Sequence, residues 1–281
     1  MPSPQRNQIN SVQTIRNSRK IMHSPGAIVG NHYQIIQKLG RDGLGKTYLA
    51  KDLQTQGDSR CAIEQIQPQL NSPQAWQNAQ KHLVEEVAIL QRLGEHRQIP
   101  QFWTYLIEDG QFYLIREYVD GESLHTGVSR QVFNEAQGIH LLHAVLRIFD
   151  FAHKINVIHR DLNPDRIIQR RSDNNFVLIN FGAIAQLEAV DKDSTGNWDY
   201  IAPEQQAGHP NYSSDLYALG KTVIYALTGR SPQEFETSNT NWQDSCQISS
   251  KLGEIVDKMV SPALRDRYNS ALEVLYDLKP L

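Results

Sequence analysis

The run Gly40-Arg41-Asp42-Gly43-Leu44-Gly45-Lys46-Thr47 satisfies the pattern G-x-x-x-x-G-K-[ST]. In that pattern backbone amides cradle phosphates while the Lys and the Ser/Thr serve phosphate and magnesium. Read alone, it points to a nucleotide hydrolase of the P-loop kind. Such a site needs a buried parallel strand before the loop and a helix after it. Here Thr47-Tyr48-Leu49-Ala50-Lys51-Asp52 reads as a strand running into a turn at Gly57. An apolar strand ending in Asp would be a second signal, but Phe176-Val177-Leu178-Ile179 ends in Asn180. The P-loop reading therefore stays a remote alternative. The only two cysteines, Cys61 and Cys246, resemble neither a disulfide framework nor a metal site and fit a reducing, cytoplasmic setting.

The elements that must hold such a loop fall into two groups. From Tyr33 onward, short segments rich in β-branched and aromatic residues predict five strands, the last two joined by the Asp109-Gly110 hairpin signal. One helix over about 73–93 interrupts them, with Leu83, Val87, Leu90 and Leu93 on one face. Beyond Gly121 the pattern becomes helical, most clearly over 133–155 and 213–229, with shorter helices over 254–260 and 271–278. A β-rich lobe followed by an α-rich lobe is an α+β architecture. Residues 1–30 carry four basic residues, no acidic ones and no face to bury, and are expected to be a disordered tail.

The ordered landmarks are the glycine loop Gly40 to Gly45, the strand Cys61-Ala62-Ile63-Glu64 and a helix bearing Glu86. Then come Glu117-Tyr118-Val119, His159-Arg160-Asp161-Leu162-Asn163-Pro164, Asn180-Phe181-Gly182, Ala202-Pro203-Glu204, Asp215 and Arg267. In this order and spacing the chain from about Tyr33 to Leu281 resembles protein kinases of the bacterial, eukaryotic-like Ser/Thr type. The resemblance implies a two-lobed protein-kinase fold, with the N-lobe and hinge at 31–119 and the C-lobe at 120–281. It also implies a nucleotide pocket made by Gly40, Gly43 and Gly45, with Ala62 and Ile168 on either side of adenine and Glu117 and Val119 at the hinge. Leu90, His159 and Phe181 match the packed spine between lobes, Asp215 the anchor of the catalytic loop, and Glu204 with Arg267 a buried ion pair.

Several positions depart from the family's pattern. Glu64 stands where a Lys holds the α and β phosphates and pairs with the helix Glu, here Glu86. An anion at about 4 Å from phosphate costs roughly 4 kcal/mol at an effective dielectric of 20, on the order of a thousandfold in affinity. Asn163 replaces the loop Lys, and Arg166 replaces an Asn that ligates magnesium; a guanidinium has no lone pair for a metal. Asn180 replaces the main metal-binding Asp, and neutral oxygen suits a hard cation less well. Asp42 takes the place of the second loop Gly, and Asn197 that of a Thr before Ala-Pro-Glu. Lys46 is read as an ordinary solvated strand residue, with a reach to the phosphates from the neighbouring strand in place of the missing lysine as the alternative.

Phosphoryl transfer depends on positioning and electrostatic stabilisation, so these losses strike the terms that matter. The sequence is read as a pseudokinase, with Asp161 a vestigial base and the domain a binding or allosteric module. The alternative is an atypical active Ser/Thr kinase using ATP. No metal site, no Mg-dependent nucleotide binding and at most weak ATP binding are expected. The expected partner is a protein, an active kinase or its substrate, and Ser194 and Thr195 near Arg160 are candidate phosphorylation sites. The net charge of −3 argues against nucleic acid, and no apolar run suggests a membrane span. In an active-like arrangement Glu64 and Glu86 would repel each other. Arg116, at the gatekeeper position before the hinge, is expected to bridge to one of them, and Arg166 to sit beside Asp161.

Overall fold

The computed structural model describes residues 23–42, 45–57, 59–66, 72–181, 198–279 and 281, without the side chains of 41 and 42. Gly43, Gly182, Ser194, Thr195, Asn197, residues 1–22 and the Asp42 side chain, all of which carry expectations above, lie outside these. Six antiparallel strands form the N-lobe sheet: β1 (Ile28–Val29), β2 (Tyr33–Asp42), β3 (Gly45–Asp52), β4 (Arg60–Ile66), β5 (Phe102–Glu108) and β6 (Gln111–Glu117). Their order is β1-β2-β3-β4-β6-β5. β3 follows the glycine loop directly and pairs back on β2, so the helix that a P-loop requires is replaced by a strand.

Side chains alternate across this sheet. Tyr48, Ala50, Cys61, Ile63, Tyr113 and Ile115 bury one face, and Phe112, Leu114 and Ile66 bury the other against the helix α1 (Pro73–Leu93). Ser72 caps α1 by accepting from the Ala75 N–H at 3.1 Å. The Asp109-Gly110 turn has both residues at positive φ, 50° and 71°, the geometry that matches strand twist in a two-residue hairpin.

The expectation of a disordered tail through residue 30 is corrected for its last eight residues. The 23–30 segment lies over the outer face of the sheet, with Val29 fully buried and His23 Nε2 3.0 Å from the Tyr113 hydroxyl. The Gly30 N–H donates to Glu108 at 3.1 Å. β1 is only two residues long, too short for periodicity to register, and it gains its order from the sheet it joins. The N-lobe thus has six strands rather than five.

The C-lobe contains a small sheet, ordered β7 (Gly121–Ser123), β8 (Ile167–Arg170), β9 (Phe176–Leu178). Its helices are α2 (Leu124–Arg130), α3 (Glu135–Lys154), α4 (Pro203–Gln206), α5 (Tyr212–Thr228), α6 (Pro232–Ser238), α7 (Ser250–Met259) and α8 (Ala271–Asp277). α3 and α5 start at Asn134 and Asn211, each closing a capping box. Helix α5 is buried from Ser213 to Leu227 and is the axis of the lobe. The 94–101 segment joins the lobes: the Gln98 carbonyl accepts from the Leu178 N–H at 2.9 Å, and its side chain donates to the Phe176 carbonyl at 2.7 Å.

Candidate active site

On β4, residues 61, 63 and 65 turn to the outer face, so Ala62 and Glu64 turn toward the interlobe cleft. Arg116 lies opposite Ala62 in the β4–β6 register, and its Nη2 donates to Glu64 Oε2. Both side chains are largely shielded, 12% and 15% exposed. Of the two glutamates, Arg116 bridges to Glu64, and Glu86 is buried on α1. Lys46 shares the β3 face of Tyr48 and Ala50, and its charge acts on His23 across that outer face. The strand's alternation therefore turns it away from the cleft, so it does not replace the missing lysine.

Asp215, at the start of α5, organises the catalytic loop. Its Oδ2 accepts from the His159 N–H at 2.8 Å and its Oδ1 from the Arg160 N–H at 3.0 Å. His153 Nε2 lies 2.9 Å from the same carboxylate; nothing in its spacing marks His153 in the sequence, because the partner is 62 residues away. These bonds hold Arg160 at φ 66°, a region costly for a side chain without local hydrogen-bonding compensation. His159 is fully buried and donates from Nε2 to the Ile179 carbonyl at 3.0 Å, while Nδ1 accepts from the Asp161 N–H at 3.3 Å. Burial holds its pKa below the ordinary histidine value. Its ring centroid is 4.7 Å from that of Phe181, and Phe181 with Leu90, Arg116 and Asn180 lines a cavity of about 10 Å³, room for about one water.

Asp161 is half exposed and is held by Arg166, whose Nε and Nη2 lie 2.7 and 2.6 Å from Oδ2. Asn163 is fully buried. Its Oδ1 caps the turn Pro164–Arg166 by accepting from the Asp165 N–H at 3.0 Å, and its Nδ2 donates to the Asp161 carbonyl at 3.0 Å. A side chain used this way does not extend toward a transferred group. Asn180 sits at φ 58°, a region Asn tolerates well. At the position expected for metal, the Asn180 amide stands near Asp161, whose Oδ2 is taken by the Arg166 guanidinium, a set that does not fit a magnesium ion wanting several free oxygens.

The positions expected at a nucleotide pocket lie on β2, β3, β4, β6 and β8 and just after β6. Gly40 pairs with Thr47, and among the described residues a Cβ there would meet nothing within 4 Å. Gly45 begins β3, and Ile168 lies on β8 opposite Val177. At the hinge the Glu117 N–H donates to the Gln101 carbonyl at 2.8 Å, and Val119 follows between the lobes. Deeper in the C-lobe Glu204 accepts from Arg267 Nη1 at 2.8 Å and from the Ser214 hydroxyl at 2.6 Å. Burial alone would raise the Glu204 pKa, but these two donors hold it below its ordinary range.

A protein kinase domain model matches residues 33–277. The chain is 36% identical over 264 residues to Serine/threonine-protein kinase B of Synechocystis sp., covering 88% of this chain and 46% of that protein. It is 37% identical over 268 residues to Serine/threonine-protein kinase PknA of Nostoc sp., covering 90% and 48%. The chain spans about half the length of the curated relatives it matches. The PknI kinase domain of Mycobacterium tuberculosis has the same fold, with a TM-score of 0.69 at 22% identity over 92% of this chain and 99% of that one. Fold, site layout and sequence agree that this chain belongs to the protein kinase domain family, with bacterial Ser/Thr kinases among its relatives.

Proposed function

We propose that this domain is a pseudokinase, a kinase-fold signalling module that binds or regulates a protein partner without transferring phosphate from Mg-ATP. The observation that carries the reading is the Arg166 guanidinium bound to Asp161 at the metal position. The Arg116 bridge to Glu64 supports it, since one internal cation holds the carboxylate that stands in the lysine's place and the other holds the carboxylate of the catalytic loop. No helix among the described residues is long and apolar enough to cross a membrane.

The second reading is an atypical active Ser/Thr kinase. It is favoured by the names of the relatives at 36% and 37% identity, all of them Ser/Thr kinases, and the family comparisons back it better than the inactive reading. Incubation with labelled ATP and Mg²⁺ or Mn²⁺, beside Asp161→Asn, separates the two. We expect no transfer that this substitution abolishes, and no thermal shift of several degrees at millimolar Mg-ATP. A ligand at 100 times its Kd would add about 2.7 kcal/mol, so such a shift would overturn the expectation of at most weak Mg-ATP binding, and Asp161-dependent transfer would establish the active reading.

A further inference from the structure

Residues 23–30 cross the outer face of the N-lobe sheet, the side away from α1 and the cleft. They are tied down along their length: the Gly26 N–H donates to the Ile35 carbonyl and the Ile35 N–H to the Ala27 carbonyl, both at 2.8 Å. At Gly30, with φ 57°, a Cβ would collide with Leu106, so the segment lies directly on β5. His23, at its start, enters a buried polar network drawn from three strands. The Tyr48 hydroxyl accepts from the His23 N–H at 3.4 Å and donates to Gln65 Oε1 at 3.1 Å. Gln65 Nε2 donates in turn to Gln111. The Tyr113 hydroxyl lies 3.0 Å from His23 Nε2, and the His23 ring sits 5.7 Å from each tyrosine ring. Tyr48, Gln65, Gln111 and Tyr113 are all at most 2% exposed.

We propose that residues 23–30 form an acid-released strap, latched to the sheet by His23 in its neutral form. Burial is the largest cause that pushes the Tyr113 hydroxyl up to about 12, so this group keeps its proton. Gln65 bonds the same hydroxyl in the sense that lowers its pKa, as a donor does. The hydroxyl's own proton is thus left for Nε2, which accepts it only while unprotonated. Once Nε2 carries a proton, two donors meet at one oxygen and the phenol proton loses its acceptor. The charged groups around the ring do not reverse this. Burial is the largest influence on His23 and holds its pKa below the ordinary value, while Glu108 of β5 favours the imidazolium and Lys46 of β3 opposes it. β2 brings Lys38 opposite Tyr48 in register, exposed to water, β4 brings the neutral Gln65, and Asp109 of the hairpin acts on Tyr113. An opened strap returns His23 to water and to a pKa near 6.5. The latch is therefore complete above about pH 6.5 and weakens as pH falls below that value. None of these side chains lies in the cleft, so the latch is independent of whether the domain transfers phosphate.

The test is amide hydrogen exchange on the full chain at pH 7.5, 6.5 and 5.5, read as protection factors that divide out the intrinsic pH dependence. The His23 ring is followed by NMR in the same samples. We expect protection at Gly26 and Ile35 to fall severalfold from pH 7.5 to 5.5. The ceiling is about tenfold, because a freed histidine gains at most that factor over one unit below about pH 6.5. His23→Gln, whose side chain does not titrate, should give equal protection at the two pH values. Tyr113→Phe should lower protection severalfold at pH 7.5, and His96→Gln should leave the strap's pH response as it is. The decisive quantity is the ratio between pH values, so a variant that weakens the strap at every pH remains informative. Protection that is flat with pH, a fall that persists unchanged in His23→Gln, or a His23 ring that titrates at or above pH 6.5 would overturn the proposal. So would unaltered protection in Tyr113→Phe, which would mean that the apolar contacts of Val29 and the β1 pairing hold the strap alone.

Discussion

Asp215 and Glu64 are both shielded carboxylates with cationic or N–H partners, yet they are held in opposite ways. Two of Asp215's partners are backbone amides of the catalytic loop, fixed by chain geometry. Glu64 is met by a single long side chain from β6, the strand paired directly with its own. In the first region a change of residue would orphan main-chain donors that no substitution elsewhere can supply. In the second, a cation-to-anion change at Glu64 is answered by a cation at the gatekeeper position. The same compensation recurs at Arg166 and Asp161. Two cleft carboxylates, Glu64 and Asp161, thus each have a guanidinium partner from within the chain, whereas the loop anchor is bound mainly by main-chain donors.

The sharpest break of this contrast is Asp215→Ala. It leaves the His159 and Arg160 amides and His153 without their acceptor in a buried setting, and we expect a loss of about 3–5 kcal/mol in urea unfolding. A loss below 1 kcal/mol would mean that the loop does not depend on its anchor. Arg116→Met should cost less, about 2 kcal/mol, because Glu64 retains some access to water. Glu64→Gln in the same chain should recover most of that loss, giving a coupling of about 0.5–3 kcal/mol. Additive effects would contradict the internal bridge.

The loop anchor also has a pH signature. Burial keeps the folded His159 imidazole neutral below its ordinary value, whereas an unfolded histidine takes up a proton near pH 6.5. Its contribution is therefore fully present above about pH 6.5 and is lost as pH falls below that, by up to about 1.4 kcal/mol per pH unit. His23, His96 and His143 shift the same way, with burial the largest cause. Urea midpoints at pH 7.5, 6.5 and 5.5 should fall on the acid side, and His159→Gln should flatten that fall. A midpoint that rises on acidification would reverse the assignment.

The parts of this molecule that could be read from sequence are those whose signal is local or ordered along the chain. The Asp109-Gly110 hairpin, the apolar face of α1 and the order of the kinase-like motifs are of this kind, as was the need for a cation beside Glu64. Lys46 shows the limit: neighbouring residues on a strand point to opposite faces, so one position of register decides whether it meets phosphate or His23. Asn163 was read as a lost lysine, but its role as a turn cap depends on the conformation of the loop. β1 and the cluster of His23, Tyr48, Gln65 and Tyr113 come from residues far apart in the chain, each without a pattern of its own. Only the folded chain brings them together.

The smallest stability change is expected at Arg166. Its partner Asp161 is 44% exposed, so water can take over when the guanidinium is removed, and Arg166→Met should cost no more than about 1 kcal/mol. A cost of several kcal/mol would place this pair with the structural anchors instead. The same position offers a constructive test of the compensated side of the cleft. Arg166→Asn together with Asn180→Asp removes the internal cation and supplies an amide and a carboxylate oxygen beside Asp161, the kind of hard donors a divalent cation prefers. The double variant should then bind Mn²⁺ measurably by calorimetry, whereas the parent chain should not. Equal binding by both would mean that Arg166 does not occupy the cation's place, and the contrast between an exchanged cleft and a preserved anchor would fail at its most direct point.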